Sequence, residues 1–343
     1  MVMWEYRADA SSTVDLIPLF KKGLEACQVK AGEDMMIYRD HQTPPHYAAA
    51  FVSAGLDLGA NVFQITIPNN QADILEGPVW DIWHKVNIVI DLESIATSIY
   101  RPLRVSALAA GVRVLRITEP EDVLFRLPPD ENVRERVKVS ESLVERAAEM
   151  HVTSPAGTDM VVNIKNRKAF GLWGAAEQSG VWAHWSVGVV VGGANRDRTN
   201  GAIIIDVGDV LLGLQRYVNT PIEVIVEEGI ITSINGGLDA QLLRSWFEGW
   251  KDERAYYISH IGWGCDPRAE WNRLGYKRPG GIGDVESVNG VFQIAFGRDT
   301  SWYIGGGKND TPAHMDFNCL NCSIVLDKKL ITEEGAFVHE DLR

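Results

Sequence analysis

Near the carboxyl end of the chain, the stretch Thr311–Phe317 (TPAHMDF) sets an imidazole and a carboxylate two residues apart, at His314 and Asp316. Side chains of an extended strand alternate between faces, so residues i and i+2 share one face and this pair becomes half of a metal site. A third donor must come from elsewhere. His260, in Tyr256–Gly264 (YYISHIGWG), is the best candidate, because it too lies in a β-branched and aromatic run closed by glycine. Two imidazoles and one carboxylate leave open positions on an octahedral ion, the donor set of non-haem iron(II) oxygenases. A His-x-Asp pair alone also occurs among ordinary hydrogen-bonded surface residues, so the elements that hold these side chains matter as much as their types.

The first 150 residues alternate helical and extended signals. Val14, Leu16, Ile17, Phe20 and Leu24 follow helical spacing, Met35–Tyr38 reads as a buried strand, and a helix through Ala48–Leu58 leads into the strand Asn61–Ile67. Val86–Ile90 is a further strand, and a helix over Leu103–Ala110 feeds another at Val112–Ile117. Residues 129–149, with Glu131, Arg134, Glu135, Arg136, Glu141 and Glu145, form an amphipathic helix that closes this domain. Beyond about residue 155 the texture changes to short strands punctuated by glycine: Met160–Ile164, Val187–Val191, Ala202–Val207, Ile222–Val226 and Ile230–Ile234. Glu227–Gly229 is a hairpin turn, and one helix runs from Ala240 to about Arg254. The fold class expected is α/β: an N-terminal parallel α/β layer, residues 1–155, plus a mainly antiparallel, β-rich α+β domain, residues 156–343, carrying the metal site.

A chain of 343 residues that is 45% hydrophobic can build about two buried cores. Its formal charge of −13, with no clustered Lys and Arg, excludes a sequence-independent nucleic-acid binder. No window approaches the ~18 uninterrupted apolar residues of a spanning helix, so a cytoplasmic address with no membrane partner is expected. Cys27, Cys265, Cys319 and Cys322 are too few for a disulfide framework and are expected to be reduced. Cys319 and Cys322 have C-x-x-C spacing, but they sit inside Phe317–Leu326, which reads as a strand, so they are core residues. Gly192-Gly193, Gly280-Gly281 and Gly305–Lys308 lack the phosphate-loop forms and read as turns.

The segments Val181–Gly188 (VWAHWSVG), Ile258–Gly264 (ISHIGWG) and Gly305–Phe317 (GGGKNDTPAHMDF) with Val325–Asp327 make the stretch from Gly171 to Asp327 resemble the 2,5-dihydroxypyridine 5,6-dioxygenase family. That family of mononuclear iron(II) ring-opening enzymes is itself similar to the aminopeptidase T type of metallopeptidase. The N-terminal half is similar mainly through Ala109–Leu115. The resemblance implies that His260, His314 and Asp316 ligate iron(II), with Ser301 as a further ligand, and that His184 is the acid–base group. Where the peptidases carry a metal-binding Glu before an Ile-Gly pattern, this chain has His260. Where they carry a His in a similar strand, it has Gln293, so one metal is implied rather than two. Two departures from the dioxygenases bear on substrate: an acidic contact is replaced by Leu172 beside Trp173, and a histidine position falls at Tyr100 or Arg101.

The chemistry implied is extradiol-type ring cleavage of a small hydroxylated aromatic by O2, in an enzyme that the resemblance makes a homo-oligomer. Two neutral imidazoles and one carboxylate leave a divalent ion with a formal positive charge that suits an anionic substrate oxygen, and His184 titrates in the range needed to take and return a proton. Among the 11 tryptophans, Trp173, Trp182, Trp185 and Trp263 lie near proposed site residues and can stack on a flat ring. Tyr100, Leu172, Trp173 and Trp185 are the expected substrate contacts. Asp266 and Arg268 can orient a substrate carboxylate or form an ion pair, while His41 and His46 read as loop contacts. The competing readings are a zinc hydrolase of the aminopeptidase or amidase kind using the same triad, and a catalytically inactive sensor of aromatics.

Overall fold

The computed structural model describes residues 12–68, 73–94, 101–185, 187–276, 284–300 and 306–343. Contacts divide the chain into two units: Met1–Pro129, Gly174–Ser186 and Arg278–Ile282 form one, and Asp130–Trp173, Val187–Lys277 and Gly283–Arg343 the other.

In the first unit, five short runs pair as a parallel sheet in the order Asn61–Ile67, Asp34–Asp40, Ile88–Asp91, Arg113–Arg116, Trp182–His184. Two of the three inner strands, Ile88–Asp91 and Arg113–Arg116, are buried at every position, as parallel strands covered on both faces must be. Local signals start the intervening helices. Ser12 and Asp15 form a capping box for Thr13–Ala26, and prolines open Pro45–Asp57 and Pro102–Ala109. All five strands point their carboxyl ends to one edge, where doubly wound sheets bind ligands. Asp40, Asp91, Arg116 and His184 end four of them.

At that edge four buried charges interlock. Asp91 lies 2.6 Å from Arg104 and 3.0 Å from Arg116, and Glu93 lies 2.9 Å from Arg104. Burial disfavours the charged form of Asp91, but the two guanidinium groups outweigh it and hold the carboxyl below its usual range.

Two antiparallel sheets build the second unit. Eight strands follow the order Ile230–Gly236, Ile222–Glu227, Asn195–Ile205, Asp159–Asn163, Glu149–Thr153, Ser323–Leu326, Lys329–Glu333, Ala336–Phe337. Seven follow the order Arg216–Tyr217, Val210–Leu211, His314–Cys319, Phe292–Gly297, Ile258–Gly264, Val189–Gly193, Ala169–Leu172. The expected mixture of a parallel α/β layer with antiparallel sheets is therefore what the chain forms. The hairpin at Glu228-Gly229 is a two-residue turn with φ of 48° and 68°, the left-handed pair that the twist of its strands requires.

Three local readings change. Helix Glu131–Arg146 belongs by contact to the second unit rather than closing the first, because Val133, Val137 and Val144 pack onto glycines of the seven-stranded sheet and its approach. A Cβ at Gly188, Gly171 or Gly192 would lie 2.8, 2.3 or 2.5 Å from the Cγ1 of those three valines in turn, so only bare backbone admits the helix at this distance. The stretch Phe317–Leu326 is not one strand. His314–Cys319 ends in the seven-stranded sheet, the chain turns at Asn321 with φ of 54°, and Ser323–Leu326 joins the other sheet. Cys319 and Cys322 remain buried thiols, and burial pushes Cys322 up to about 12. Finally, the helix expected to reach Arg254 spans Leu238–Gly249, after which Lys251 turns left-handed and Glu253–Tyr256 forms a short 3-10 turn. No helix among the described residues is long and apolar enough to cross a membrane.

Candidate metal centre

The strand His314–Cys319 alternates as its sequence demands: Met315 and Phe317 face a fully buried core, while His314, Asp316 and Asn318 share the other face. Its neighbour Phe292–Gly297 runs antiparallel in unbroken register, setting Gly297 opposite His314, Ala295 opposite Asp316 and Gln293 opposite Asn318. The next strand over, Ile258–Gly264, is out of step. Ile258 pairs with Phe296 and Ile261 with Ile294, so one extra residue is accommodated at Ser259-His260. Such a bulge turns a side chain out of the regular pleat.

This arrangement brings His260 and Asp316 together across an intervening strand. Two strand spacings amount to about 10 Å, a gap that side chains can bridge only if the middle strand offers nothing tall. Ala295 and Gly297 meet that condition. Gly297 has φ of 105° and a Cβ there would lie 2.2 Å from the Ala313 carbonyl oxygen, so the position next to His314 accepts no side chain. His260 Nε2 reaches 3.2 Å from Asp316 Oδ1, His314 Nε2 reaches 3.5 Å from Oδ2, and the two imidazole centroids are 5.2 Å apart. One donor atom from each residue lies within 4.8 Å of the others.

The electrostatics describe a trap for positive charge. Burial opposes ionisation of Asp316, but the two imidazoles override it and hold its carboxyl far below the ordinary range. Burial also opposes protonation of His314, yet the Asp316 carboxylate outweighs it and raises the imidazole above 6.5. Two nitrogens and one carboxylate oxygen at this mutual distance suit a divalent transition metal, which would compete with that proton. The His314 side chain is 27% exposed against 12% for Asp316, so the centre opens at the His314 end.

Supporting contacts fix the frame. Ser259 Oγ donates to the Arg298 carbonyl at 2.6 Å and lies 3.5 Å from His260 Nδ1. Asn309 Nδ2 donates to the carbonyls of Gly297 (2.6 Å) and Arg254 (2.8 Å), tying the loop before His314 to the middle strand. Sequence reasoning missed Ser259, Ala295, Gly297 and Asn309. The small residues facing His-x-Asp were readable only once pairing was known.

The other expected site residues are placed as follows. His184 ends the last strand of the parallel sheet, with Nε2 2.9 Å from Thr118 Oγ1 and 3.9 Å from Glu119, and it stacks on Trp182. Leu172 ends the strand Ala169–Leu172, and Trp173 after it carries the Arg134 guanidinium 5.5 Å from its ring. Trp185 is enclosed: it meets Phe20 edge-on at 5.8 Å and its ring lies over Gly23, where a Cβ would be 1.9 Å away. It is fully buried and braces helix Thr13–Ala26. Trp263 is likewise core, donating to Ser140 Oγ at 3.0 Å. Asp266 and Arg268 form an ion pair at 2.8 Å, and His46 pairs with Glu121 at 2.6 Å. Tyr100 and Ser301 lie outside the described residues.

Comparison with known proteins now decides the lineage. The family model for 2,5-dihydroxypyridine 5,6-dioxygenase matches residues 15–339. The chain belongs to this dioxygenase family. A curated 2,5-dihydroxypyridine 5,6-dioxygenase of Pseudomonas putida is 30% identical over 345 aligned positions, covering 95% of this chain and 97% of the relative. The solved structure of the dioxygenase from Pseudomonas putida KT2440 superposes with a TM-score of 0.89 at 30% identity, over 97% of this chain and 100% of that one. AmpT from Thermus thermophilus shares the fold alone, with a TM-score of 0.66 at 12% identity over 96% of this chain and 100% of that one. Membership of a dioxygenase family makes a metal cofactor the expected occupant of the His260, His314 and Asp316 cluster, the one such donor group among the described residues.

Proposed function

We propose that this chain is an iron(II)-dependent dioxygenase that opens the ring of 2,5-dihydroxypyridine or a closely related hydroxylated N-heteroaromatic, with His260, His314 and Asp316 holding the metal. The observation that carries the reading is the convergence of these three donors, within 4.8 Å of each other, in a chain matched by the dioxygenase family over residues 15–339. Iron(II) bound there would supply the one-electron chemistry that lets triplet O2 react with a closed-shell ring.

The protein's own contribution is positional. The bulge at Ser259-His260 and the small residues Ala295 and Gly297 keep the three donors on one side, leaving the remaining directions for substrate and O2. Leu172 and Trp173 are proposed as an apolar wall for a flat ring, Tyr100 as a further substrate contact and Ser301 as a further ligand. His184 is proposed to take the substrate hydroxyl proton and to return one later. Thr118 Oγ1 at 2.9 Å orients its ring for that exchange.

Loading metal-free protein with iron(II) or zinc under argon, then admitting O2 with 2,5-dihydroxypyridine, tests this. Iron(II) should support one O2 consumed per ring lost and zinc none. Absence of uptake with iron(II), or equal turnover with zinc, would sink the proposal.

A further inference from the structure

The pairing that aims His260 also sets what stands beside it. Gly193 lies opposite His260, and the ladder continues one strand further, where the Gly193 N–H donates to the Lys168 carbonyl at 3.0 Å just ahead of Ala169–Leu172. Residues opposite one another in a ladder point to the same face, so Lys168 and His260 share a face and a row, two strand spacings or about 10 Å apart, with bare Gly193 between them. The reverse face fixes the assignment independently. Helix Glu131–Arg146 packs there on Gly171 and Gly192, the residues that alternate with Phe170 and Val191 along their strands.

Over the five strands from His314–Cys319 to Ala169–Leu172, the metal-bearing face holds one formal anion, Asp316, and one fixed cation, Lys168 at the approach to the last strand. This face closes in one direction and opens in the other. Asn318 and Gln293 are 0% and 1% exposed, whereas Val191 and Phe170, one row from Gly193 and Lys168, are half-buried and Lys168 itself is exposed. Gly262, opposite Val191, presents no side chain. A flat group extending from the triad over Gly193 therefore meets Val191 and Phe170 and then an ammonium. Among the described residues no ion pair or side-chain hydrogen bond engages that ammonium, in a chain whose net charge is −13.

We propose that Lys168 is a specificity-determining residue that pairs with an anionic substituent on the substrate ring. The ligand class is a hydroxylated aromatic acid, with its hydroxyl at the triad and its carboxylate, across the ring, at the Lys168 ammonium. A lysine suits that task because its ammonium is a compact charge on a flexible four-carbon stem, able to reach back over the bare glycine. The chain as a whole repels a monoanion, so acceptance of such a ligand needs a local cation beside the site. Of the rings that the proposed function allows, those carrying a carboxylate remote from the metal-bound hydroxyl are bound best. The inference rests on that proposed function, because the triad orients the ring.

The experiment is anaerobic calorimetric titration of the iron(II)-loaded protein with 4-hydroxybenzoate and 4-hydroxybenzamide, which match in shape, differ in charge and require no turnover. In low-salt buffer the wild-type protein should bind the benzoate at least about fivefold more tightly than the benzamide, as a charge-assisted hydrogen bond at a partly covered site implies. Lys168→Met, which keeps the apolar stem, should lose that preference and bind the benzamide as wild type does; Lys168→Glu should favour the benzamide. A wild-type preference below that factor, or one that either variant retains, overturns the inference. Titrating the metal-free wild-type protein with the benzamide tests the parent reading separately, since binding should be weaker there than with iron(II). Equal benzamide binding with and without metal would mean that the ring does not sit at the triad and would sink both readings, whereas metal-dependent benzamide binding with no benzoate preference sinks Lys168 alone.

Discussion

Each unit buries a small knot of ionisable groups, and the two knots are built on opposite plans. In the parallel-sheet unit, Asp91 and Glu93 face Arg104 and Arg116, two formal anions against two formal cations at hydrogen-bonding distance. That set is complete within the protein, and every charge in it is matched by another side chain. In the β-rich unit, His260, His314 and Asp316 set one carboxylate against two imidazoles, with no fixed cation among them. The Arg104 knot is the more deeply buried, its side chains 0–3% exposed against 11–27% in the triad, so depth of burial does not mark a functional site. The difference lies in whether the charges close among themselves or leave a place for a cation.

The sharpest way to break this contrast is to delete the one formal charge of the triad. Asp316→Asn preserves shape and removes the anion. It should weaken divalent-metal binding by more than the ~10–100-fold typical of losing an outer hydrogen-bond partner, as read by competition with a chelator. The metal-free protein should also lose some unfolding free energy, because the two imidazoles that depress the Asp316 carboxyl lose their charged partner. A variant that keeps wild-type metal affinity would mean that Asp316 is not a ligand.

The mirror experiment is Arg104→Met. It leaves Asp91 to Arg116 alone and Glu93 to the more distant Arg101, a buried network short of one cation, and removal of one partner from such a network costs about 3–5 kcal/mol, measurable by denaturant titration. Metal affinity of the folded fraction should be unchanged. Should R104M instead leave stability intact and abolish metal binding, the division between a structural knot and a ligand-binding knot would fail.

These expectations also show what was readable in the chain. His-x-Asp on a strand follows from two-residue alternation, and the β-α-β rhythm of the first unit follows from apolar periodicity. What aims His260 at Asp316 did not follow. A bulge is a property of two strands in register, and nothing in Ile258–Gly264 alone shows that an extra residue must be absorbed at Ser259-His260. Trp182–His184 is three residues long and joins a sheet whose previous strand ended 66 positions earlier, at Arg116, so local pattern has no hold on it. The amphipathic helix Glu131–Arg146 was visible, but its partner was not, since a valine stripe fits any apolar surface and only the tertiary placement of Gly171, Gly188 and Gly192 selects this one. Cys319 and Cys322 lie on either side of a crossing between two sheets, and residue types alone do not mark where a chain leaves one sheet for another.

A third cluster sharpens the comparison at the smallest effect. Asp239, in the same unit as the triad, accepts from the backbone N–H groups of Asn219 and Thr220 at 2.8 Å and from Thr220 Oγ1 at 3.0 Å, and it lies 2.6 Å from Arg216. It is therefore a closed set inside the unit that carries the candidate metal centre, and it should behave like the Arg104 network rather than like Asp316. Burial works against the charged form, but these hydrogen bonds and Arg216 prevail, so the folded-state carboxyl lies below its usual 3.8. A depressed carboxyl stabilises the fold above the unfolded-state value and loses that contribution as pH falls through the folded one. Unfolding free energy measured between pH 6 and pH 3 should thus decline on acidification in the wild type. In Asp239→Asn the curve should be flatter and lower at pH 6 by about 1–2 kcal/mol, with metal affinity untouched. If D239N changed metal affinity while leaving the acid limb of the stability curve as it was, closure of charges would not separate structural from functional clusters in this protein.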